Sequence, residues 1–229
     1  MYVTEMNPPM QIFADTADVE AIREAHEWGF IDGVTTNPAL VAETDRSYRD
    51  IVTDLDEFVQ GPINAQVVAT DEDGMVEQGR KYDTWSDNIA VKIPVTQEGI
   101  KAIDRLSDEG IKTNATCLFS PVQALVAAKN GASYVSTWWG TVNDSGHDGY
   151  ELVRNTREIL DQYGYDTEII VASVRDTRHI VKSARIGADI ITVPPWVFGM
   201  LWDNPLTNQS LDNILSEWGD RGDPTVDPS

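Results

Sequence analysis

The sequence predicts a single α/β domain, a (β/α)8 barrel with an additional C-terminal helix. Eight short apolar runs alternate with longer amphipathic runs along 229 residues, and no shift in composition divides the chain. Strands that alternate with helices in this way form parallel sheets, and the length suits a compact barrel. A doubly wound sheet is the structural alternative. It is disfavoured because no Gly-x-Gly-x-x-Gly follows the first strand and no complete phosphate-binding loop motif is present.

The order of elements follows from strand stops and helix caps. Strands are predicted at 11–15, 33–38 with its turn, 63–69, 88–94, 111–116, 133–137, 168–173 and 188–193. Helices are predicted at 17–28, 48–59, 72–85, 97–108, 121–131, 150–162 and 177–186, then in a short segment after Pro195 and at 210–218. Asp15 or Thr16 is suited to cap the first helix, and Gly110 to end the fourth.

The predicted domain organisation has four parts. Residues 1–10 form an N-terminal extension, residues 11–205 the barrel, residues 206–219 the C-terminal helix, and residues 220–229 a polar tail typical of disorder. We expect neither a signal peptide nor a membrane helix, because no basic region precedes an apolar one and no apolar run is long enough. Cys117, the single cysteine, excludes an intrachain disulfide and favours a reducing, cytoplasmic setting.

The charge balance is strongly acidic. The chain carries 38 acidic and 17 basic side chains, for a formal net charge of −21. Nucleic acids and anionic membranes are therefore not expected as partners. The acidic residues are spread along the whole chain, which predicts a surface adapted to high salt and a halophilic source.

The strand predicted at 88–94 carries the most informative residue. Side chains alternate along a strand, so Lys92 shares its face with the small Ala90. One interpretation is a lysine that extends to an edge or pairs with a carboxylate. The other is an amine whose pKa is lowered by desolvation until it attacks a carbonyl and forms a Schiff base. The strand alone leaves both open.

Polar residues at the carboxyl ends of the other strands are predicted to converge on the same place, where (β/α)8 barrels carry their function. They are Asp15, Thr35, Asn37, Gln66, Asn114, Thr116, Ser136, Trp138, Ser173 and Arg175. Each alone has a simpler interpretation, since strand hydroxyls often bond to backbone and Asp15 is suited to cap a helix. Together they place a carboxylate, amides and hydroxyls around one lysine, without a metal-ligand cluster. This favours carbonyl chemistry through an amine, with no metal and no cofactor.

Several segments resemble the small transaldolases and fructose-6-phosphate aldolases, over residues 11–218. They are Phe13-Ala-Asp-Thr-Ala-Asp18, Gly33-Val-Thr-Thr-Asn-Pro38, Ala65-Gln-Val67, Val91-Lys-Ile-Pro-Val-Thr96, Gly110-Ile-Lys-Thr-Asn114 and Gly187-Ala-Asp189. The resemblance implies a single barrel, a sugar or sugar phosphate as substrate, a role in the pentose phosphate pathway, and a homo-oligomer, either a pentamer or a decamer.

The resemblance also implies a class I mechanism. Lys92 would form the Schiff base with a ketose carbonyl, and Asp15 would act as acid and base at the C4 hydroxyl while the carbon–carbon bond is cleaved. Asn37 and Thr35 would position the lysine and the three-carbon dihydroxyacetone unit.

Other positions resemble one branch of the family or the other. Gln66 and Thr116 would hold the water that serves proton transfer. A glutamine at position 66 resembles the aldolase branch. Ser136 matches the transaldolase branch. Ser173 and Arg175 match residues that face the phosphate of the substrate.

One segment departs from the family pattern. In Ser136-Thr-Trp-Trp-Gly-Thr141, Trp138 stands at the usual aromatic position and Thr141 where the family carries an arginine that binds the phosphate. A threonine offers one hydroxyl in place of a bidentate cation. The donor is therefore either a sugar phosphate held by Arg175 or a neutral, deoxy or sulfonated sugar. A second alternative is a barrel that binds a sugar phosphate without catalysis. It is disfavoured because such a protein would not need a desolvated amine.

Overall fold

The computed structural model of the chain describes residues 9–219 and 221–222, which form one closed barrel of eight parallel strands, as predicted. The strands follow sequence order around the barrel, and the last pairs with the first. They are β1 (Gln11–Asp15), β2 (Gly33–Thr35), β3 (Ile63–Gln66), β4 (Ile89–Pro94), β5 (Thr113–Leu118), β6 (Tyr134–Trp138), β7 (Glu168–Ala172) and β8 (Ile190–Val193). Most of the predicted N-terminal extension and polar tail lies outside the described residues.

Eleven helices are found in the described part of the chain. They are α1 (Val19–Glu27), α2 (Pro38–Ala42), α3 (Tyr48–Asp56), α4 (Glu72–Asp83), α5 (Gln97–Asp108), α6 (Pro121–Lys129), α7 (Trp139–Asp144), α8 (Gly149–Tyr163), α9 (Thr177–Ile186), α10 (Pro195–Trp202) and α11 (Pro205–Trp218). Strand β1 and helices α5 and α9 have the predicted bounds. The short helices α2 and α7 are not among the predicted elements, and both lie at the carboxyl end of the barrel.

The prediction that Asp15 or Thr16 caps the first helix is wrong. The side chain of Asp18 accepts hydrogen bonds from the backbone N–H groups of Glu20 and Ala21 and so begins α1. The hydroxyl of Thr16 instead accepts from the N–H of Asp18 and shapes the turn. Asp15 is not needed at the helix, because its carboxylate accepts a hydrogen bond from the neighbouring strand β2.

Most other elements differ from the prediction by a few residues at one or both ends, and two of these differences have a visible cause. Strand β5 runs on to Leu118 through an irregularity in its pairing with β6, where Cys117 has a φ of 55°. Helix α11 begins earlier than predicted, because the side chain of Asn204 caps it and Pro205 suits its first turn.

The barrel interior is apolar at one level and polar at the next. Phe13, Ala90, Tyr134, Ile170 and Ile190 form a separate buried cluster inside the strands. Gly33 makes room for this cluster, since a Cβ there would lie 2.8 Å from the ring of Phe13. Polar side chains of the same strands lie nearer the carboxyl ends. The apolar layer therefore closes the barrel below them, and the outward-facing strand residues pack against the helices.

The C-terminal helix α11 lies apart from the barrel core. None of its side chains is buried against the part of the chain that the structure describes. Its exposed large apolar side chains are Leu206, Leu211, Ile214, Leu215 and Trp218. Across residues 9–219, no helix has the length and apolar content that crossing a bilayer requires.

Candidate active site

Lys92 lies on β4 with only 3% of its surface exposed. The strand register places Gln66 on one side of it and Asn114 on the other. Its Nζ donates a hydrogen bond to the carbonyl oxygen of Thr36 at 3.2 Å. Burial lowers the pKa of Lys92, and the nearby charge of Asp15 partly opposes this shift. The side chain thus does not reach a solvent edge, and its environment favours the neutral amine that attacks carbonyls.

Asp15 receives a chain of hydroxyl groups from two neighbouring strands. Thr35 Oγ1 donates to Asp15 Oδ1 at 2.7 Å, and Thr35 and Thr192 share a hydrogen bond of 2.6 Å. Thr35 has a single proton, which it gives to the carboxylate, so Thr192 must be the donor to Thr35. Both threonines are buried. The carboxylate is therefore held from β2 by Thr35, whose hydroxyl is oriented in turn by Thr192 of β8.

A buried network of amides links strands β3, β5 and β6. Asn114 Nδ2 donates to Asn64 Oδ1 at 2.7 Å, and Ser136 Oγ donates to Asn114 Oδ1 at 2.8 Å. Asn64 Nδ2 donates in turn to the carbonyl oxygen of Val34 at 3.1 Å. None of the three polar side chains has any exposed surface. Because Asn114 neighbours Lys92 in the register, this network fixes the surroundings of the lysine.

Gln66 and Thr116 have polar atoms that face the site with capacity to spare. The buried Oε1 of Gln66 has no hydrogen-bond partner among the described residues. Thr116 is buried, and its Oγ1 accepts from Trp138 Nε1 at 3.3 Å. Since that contact uses the oxygen of Thr116, its own hydroxyl proton stays available. The ring of Trp138 packs edge-on against Phe119, with ring centres 5.7 Å apart.

Asn37 follows β2 and caps the short helix α2. Its Oδ1 accepts from the backbone N–H groups of Ala39 and Leu40 and caps α2. The amine of Lys92 donates its hydrogen bond to the carbonyl oxygen of Thr36, the residue before Asn37. The amide oxygen of Asn37 is thus occupied by the helix.

The predicted phosphate-binding residues lie after β7, beside α7. Ser173 has a φ of 57°, and its carbonyl oxygen accepts from the N–H of Gly140 at 3.0 Å. Its Oγ accepts from the N–H of Thr141 at 3.2 Å and lies 3.1 Å from Thr141 Oγ1. Arg175 donates to the carboxylate of Asp144 at 2.7 Å. The N–H of Thr141 and the guanidinium of Arg175 therefore each have an acceptor within the protein.

Sequence reasoning missed three of the groups that contact the predicted site residues. Asn64 and Thr192 share their strand faces with Gln66 and with the interior residue Ile190, so alternation carried a signal for both. Thr36 acts through its backbone carbonyl, and no residue type signals that contact. Among the described residues, no group of three or more His, Cys, Asp and Glu side chains is placed to hold a metal ion.

Fold and site together define a (β/α)8-barrel protein with a buried lysine, a carboxylate and a network of amides and hydroxyls at the carboxyl ends of its strands. The chain belongs to the transaldolase/fructose-6-phosphate aldolase family, whose model matches residues 12–226. It is a transaldolase-like or fructose-6-phosphate-aldolase-like enzyme, and the resemblance seen in its motifs is confirmed.

Curated relatives cover nearly the whole chain. A probable transaldolase of Hydrogenobaculum sp. is 49% identical over 209 residues, which cover 91% of this chain and 96% of the relative. A probable transaldolase of Coprothermobacter proteolyticus is 50% identical over the same shares. Among solved structures, thiamine phosphate pyrophosphorylase from Pyrococcus furiosus aligns with a TM-score of 0.58 at 16% identity, over 81% of this chain and 85% of that one. That likeness concerns the fold alone.

Proposed function

We propose that the protein is a cytoplasmic class I aldolase of the transaldolase type, which cleaves or transfers a dihydroxyacetone unit through a Schiff base on Lys92. The observation that carries this proposal is the buried amine, whose environment lowers its pKa and whose hydrogen bond goes to a carbonyl oxygen. The family's function points the same way. The single cysteine is in keeping with a reducing compartment.

The roles of the residues follow from the chemistry of a ketose donor. The amine of Lys92 adds to the ketose carbonyl, and loss of water gives an iminium. Asp15 takes the proton of the C4 hydroxyl, and the bond between C3 and C4 breaks. The part of the sugar that begins at C4 leaves as an aldehyde, and the electron pair of the broken bond forms an enamine on the lysine. An acceptor aldehyde or a proton then reacts with the enamine, and water releases the product. The free polar atoms of Gln66 and Thr116 are suited to hold that water.

Borohydride trapping tests the proposal directly. The protein is incubated with fructose 6-phosphate, an unphosphorylated ketose or a sulfonated ketose and reduced with borohydride. Its mass is then measured by intact-protein mass spectrometry. We expect one adduct per chain, placed on Lys92 by peptide mass analysis and lost in Lys92→Ala. Lys129→Ala, at an exposed helix lysine, is the matched control and keeps the adduct. Failure of every ketose to form an adduct would favour the binding barrel without catalysis.

A second candidate is the same chemistry on a donor whose distal group is not a phosphate. It is supported by Thr141, which stands where the family carries a cation, and by the pairing of Arg175 with Asp144. That ion pair is exposed and contributes no more than about 1 kcal/mol, so it weakens anion binding without preventing it. In the trapping panel, a neutral ketose that reacts faster than fructose 6-phosphate favours this candidate, and the reverse order excludes it.

We also propose that the protein assembles as a homo-oligomer through α11. The support is the row of exposed apolar side chains on a helix that its own barrel leaves uncovered, together with the assembly that the family resemblance implies. Sedimentation of the double variant Ile214→Asp and Leu215→Asp tests this, with Asn213→Asp as the control on the same helix. We expect only the double variant to dissociate, and an unchanged mass would contradict the assignment.

A further inference from the structure

Tyr48 extends from the start of α3 to the ends of the two strands beside the lysine. Its ring packs against Tyr82 and Trp85, with ring centres 5.7 Å and 6.3 Å away. Its hydroxyl lies 2.5 Å from Thr36 Oγ1 and accepts the backbone N–H of Gln66 at 2.7 Å. One phenol thus joins the residue that follows β2 to the last residue of β3.

The donor and the acceptor can be assigned for each hydrogen bond that links Gln66, Tyr48, Thr36 and Asn64. Thr36 Oγ1 donates to the carbonyl oxygen of Asn64 at 3.2 Å, which uses its only proton. Tyr48 must therefore donate to Thr36, and it accepts from Gln66. The protons run one way, from the N–H of Gln66 through both hydroxyls to the carbonyl of Asn64. Chains of this kind are polarised along their length and strengthen each other. Burial also raises the pKa of Tyr48 to about 12, so the phenol keeps the proton it donates.

The bridge adds a side-chain link between the strands at that level of the barrel. Strand β2 has three residues, and its register with β3 covers only Val34 with Ile63 and Thr35 with Asn64. The next residue, Thr36, is the one whose carbonyl oxygen accepts from Lys92 Nζ. The N–H of Thr36 still donates to the carbonyl oxygen of Asn64 at 3.0 Å, which holds the residue on its amino side. The bridge holds its side chain as well, and so restrains the orientation of the carbonyl that the amine contacts.

We propose that Tyr48 is a positioning residue for Lys92, because its hydroxyl holds Thr36 so that the carbonyl oxygen stays within hydrogen-bond distance of the amine. Its bearing on catalysis rests on the function proposed above, whereas its effect on the amine does not. The carbonyl stabilises the ammonium form more than the neutral amine, since the charged group is the stronger donor. Removing the bridge should therefore lower the pKa of Lys92 further.

The test is a titration of Lys92 by carbon-13 NMR in protein with labelled lysine, where the signal is assigned by its loss in Lys92→Ala. Tyr48→Phe removes the hydroxyl and keeps the ring. We expect it to lower the pKa of Lys92 by about one pH unit, the size of one hydrogen bond to a charged group. Thr36→Val should shift the pKa in the same direction, and the double variant should shift it no further, because both changes break the same bridge.

Tyr82→Phe is the matched control, since it removes a phenol hydroxyl from the same aromatic cluster without touching the bridge. It should leave the titration unchanged. A Tyr48→Phe curve that coincides with the wild type overturns the proposal even if the variant is less stable, and so does a pKa that rises because water enters. The titration needs no turnover. A lack of any borohydride adduct therefore counts against the proposed function, and an unshifted titration counts against Tyr48 alone.

Discussion

Thr35→Val isolates the hydroxyl that holds the carboxylate of Asp15. Valine keeps the shape of threonine and removes one oxygen. Two hydrogen bonds are lost with it, the one at 2.7 Å to Asp15 and the one at 2.6 Å from Thr192. The substitution leaves Lys92 and its contact with Thr36 in place. It therefore separates the proton transfer at Asp15 from the formation of the Schiff base.

The expected size follows from what each partner loses. A hydrogen bond to a carboxylate contributes about 1.5 to 3 kcal/mol, and about 1.4 kcal/mol corresponds to a factor of ten in rate. Carbon–carbon cleavage should thus slow by roughly 10-fold to 100-fold. Thr192 has 1% of its surface exposed, and losing its acceptor should lower the free energy of unfolding by about 1 to 3 kcal/mol. In a chain of this size, each kcal/mol lowers Tm by about 2 to 4 °C.

Three measurements on the same protein complete the test, namely kcat for cleavage of the best ketose in the trapping panel, the rate of borohydride trapping, and thermal unfolding. Thr113→Val is the matched control. Thr113 is equally buried on a strand, and its hydroxyl has no partner among the described residues, so removing that hydroxyl should leave activity intact and the fold as stable or more so.

Two results would refute this reasoning. Full cleavage activity in Thr35→Val would show that the orientation of Asp15 does not depend on the hydroxyl. Equal losses in trapping and in cleavage would place the defect at Lys92 instead of at the carboxylate. In the first case, a loss of stability would show that the role of Thr35 is structural.

Three further predictions concern other features. Lys92→Met should raise the free energy of unfolding at neutral pH by about 0.5 to 2 kcal/mol, as measured by thermal unfolding, because it removes a costly buried amine. Since the pKa of Lys92 is lowered in the folded state, the unfolded state binds more protons below 10.5, so this gain should shrink as pH rises towards 10.5. Thr141→Arg should lower KM for fructose 6-phosphate about 10-fold or more, as measured by steady-state kinetics. Asp144→Asn, which frees Arg175 from an exposed ion pair, should lower it less. An unchanged KM in Thr141→Arg would exclude a phosphate at this end of the site. With a net charge of −21, Tm should rise between about 0.1 M and about 1 M potassium chloride, because screening shortens the reach of the self-repulsion, and a flat Tm would contradict a salt-adapted surface.

The two helices whose bounds were predicted correctly have a side-chain cap at one end and a glycine after the other. Helix α5 begins at the cap Thr96 and is followed by Gly110, and α9 lies between the cap Asp176 and Gly187. Helix α7 has no such signal, since no side chain caps it and its residues include large buried apolar groups. It forms because the chain after β6 turns over β7, where the N–H of Gly140 bonds to the carbonyl of Ser173. That contact joins distant parts of the sequence, and local propensity does not report it.

In the candidate site, too, the features set by local sequence were predictable and the contacts between distant residues were not. Alternation along a strand decides which side chains face the barrel interior, and for Lys92, Asp15 and Thr35 this was enough to bring them together. It does not decide what those side chains bond to, because the partners come from other strands at a height set by the stagger of the barrel. The amine of Lys92 donates to the backbone carbonyl of Thr36, the residue after β2, and the hydroxyl of Thr36 is held in turn by a phenol on α3. A residue that acts on the lysine through another residue has no local pattern of its own, so Tyr48 is visible only once the barrel is closed.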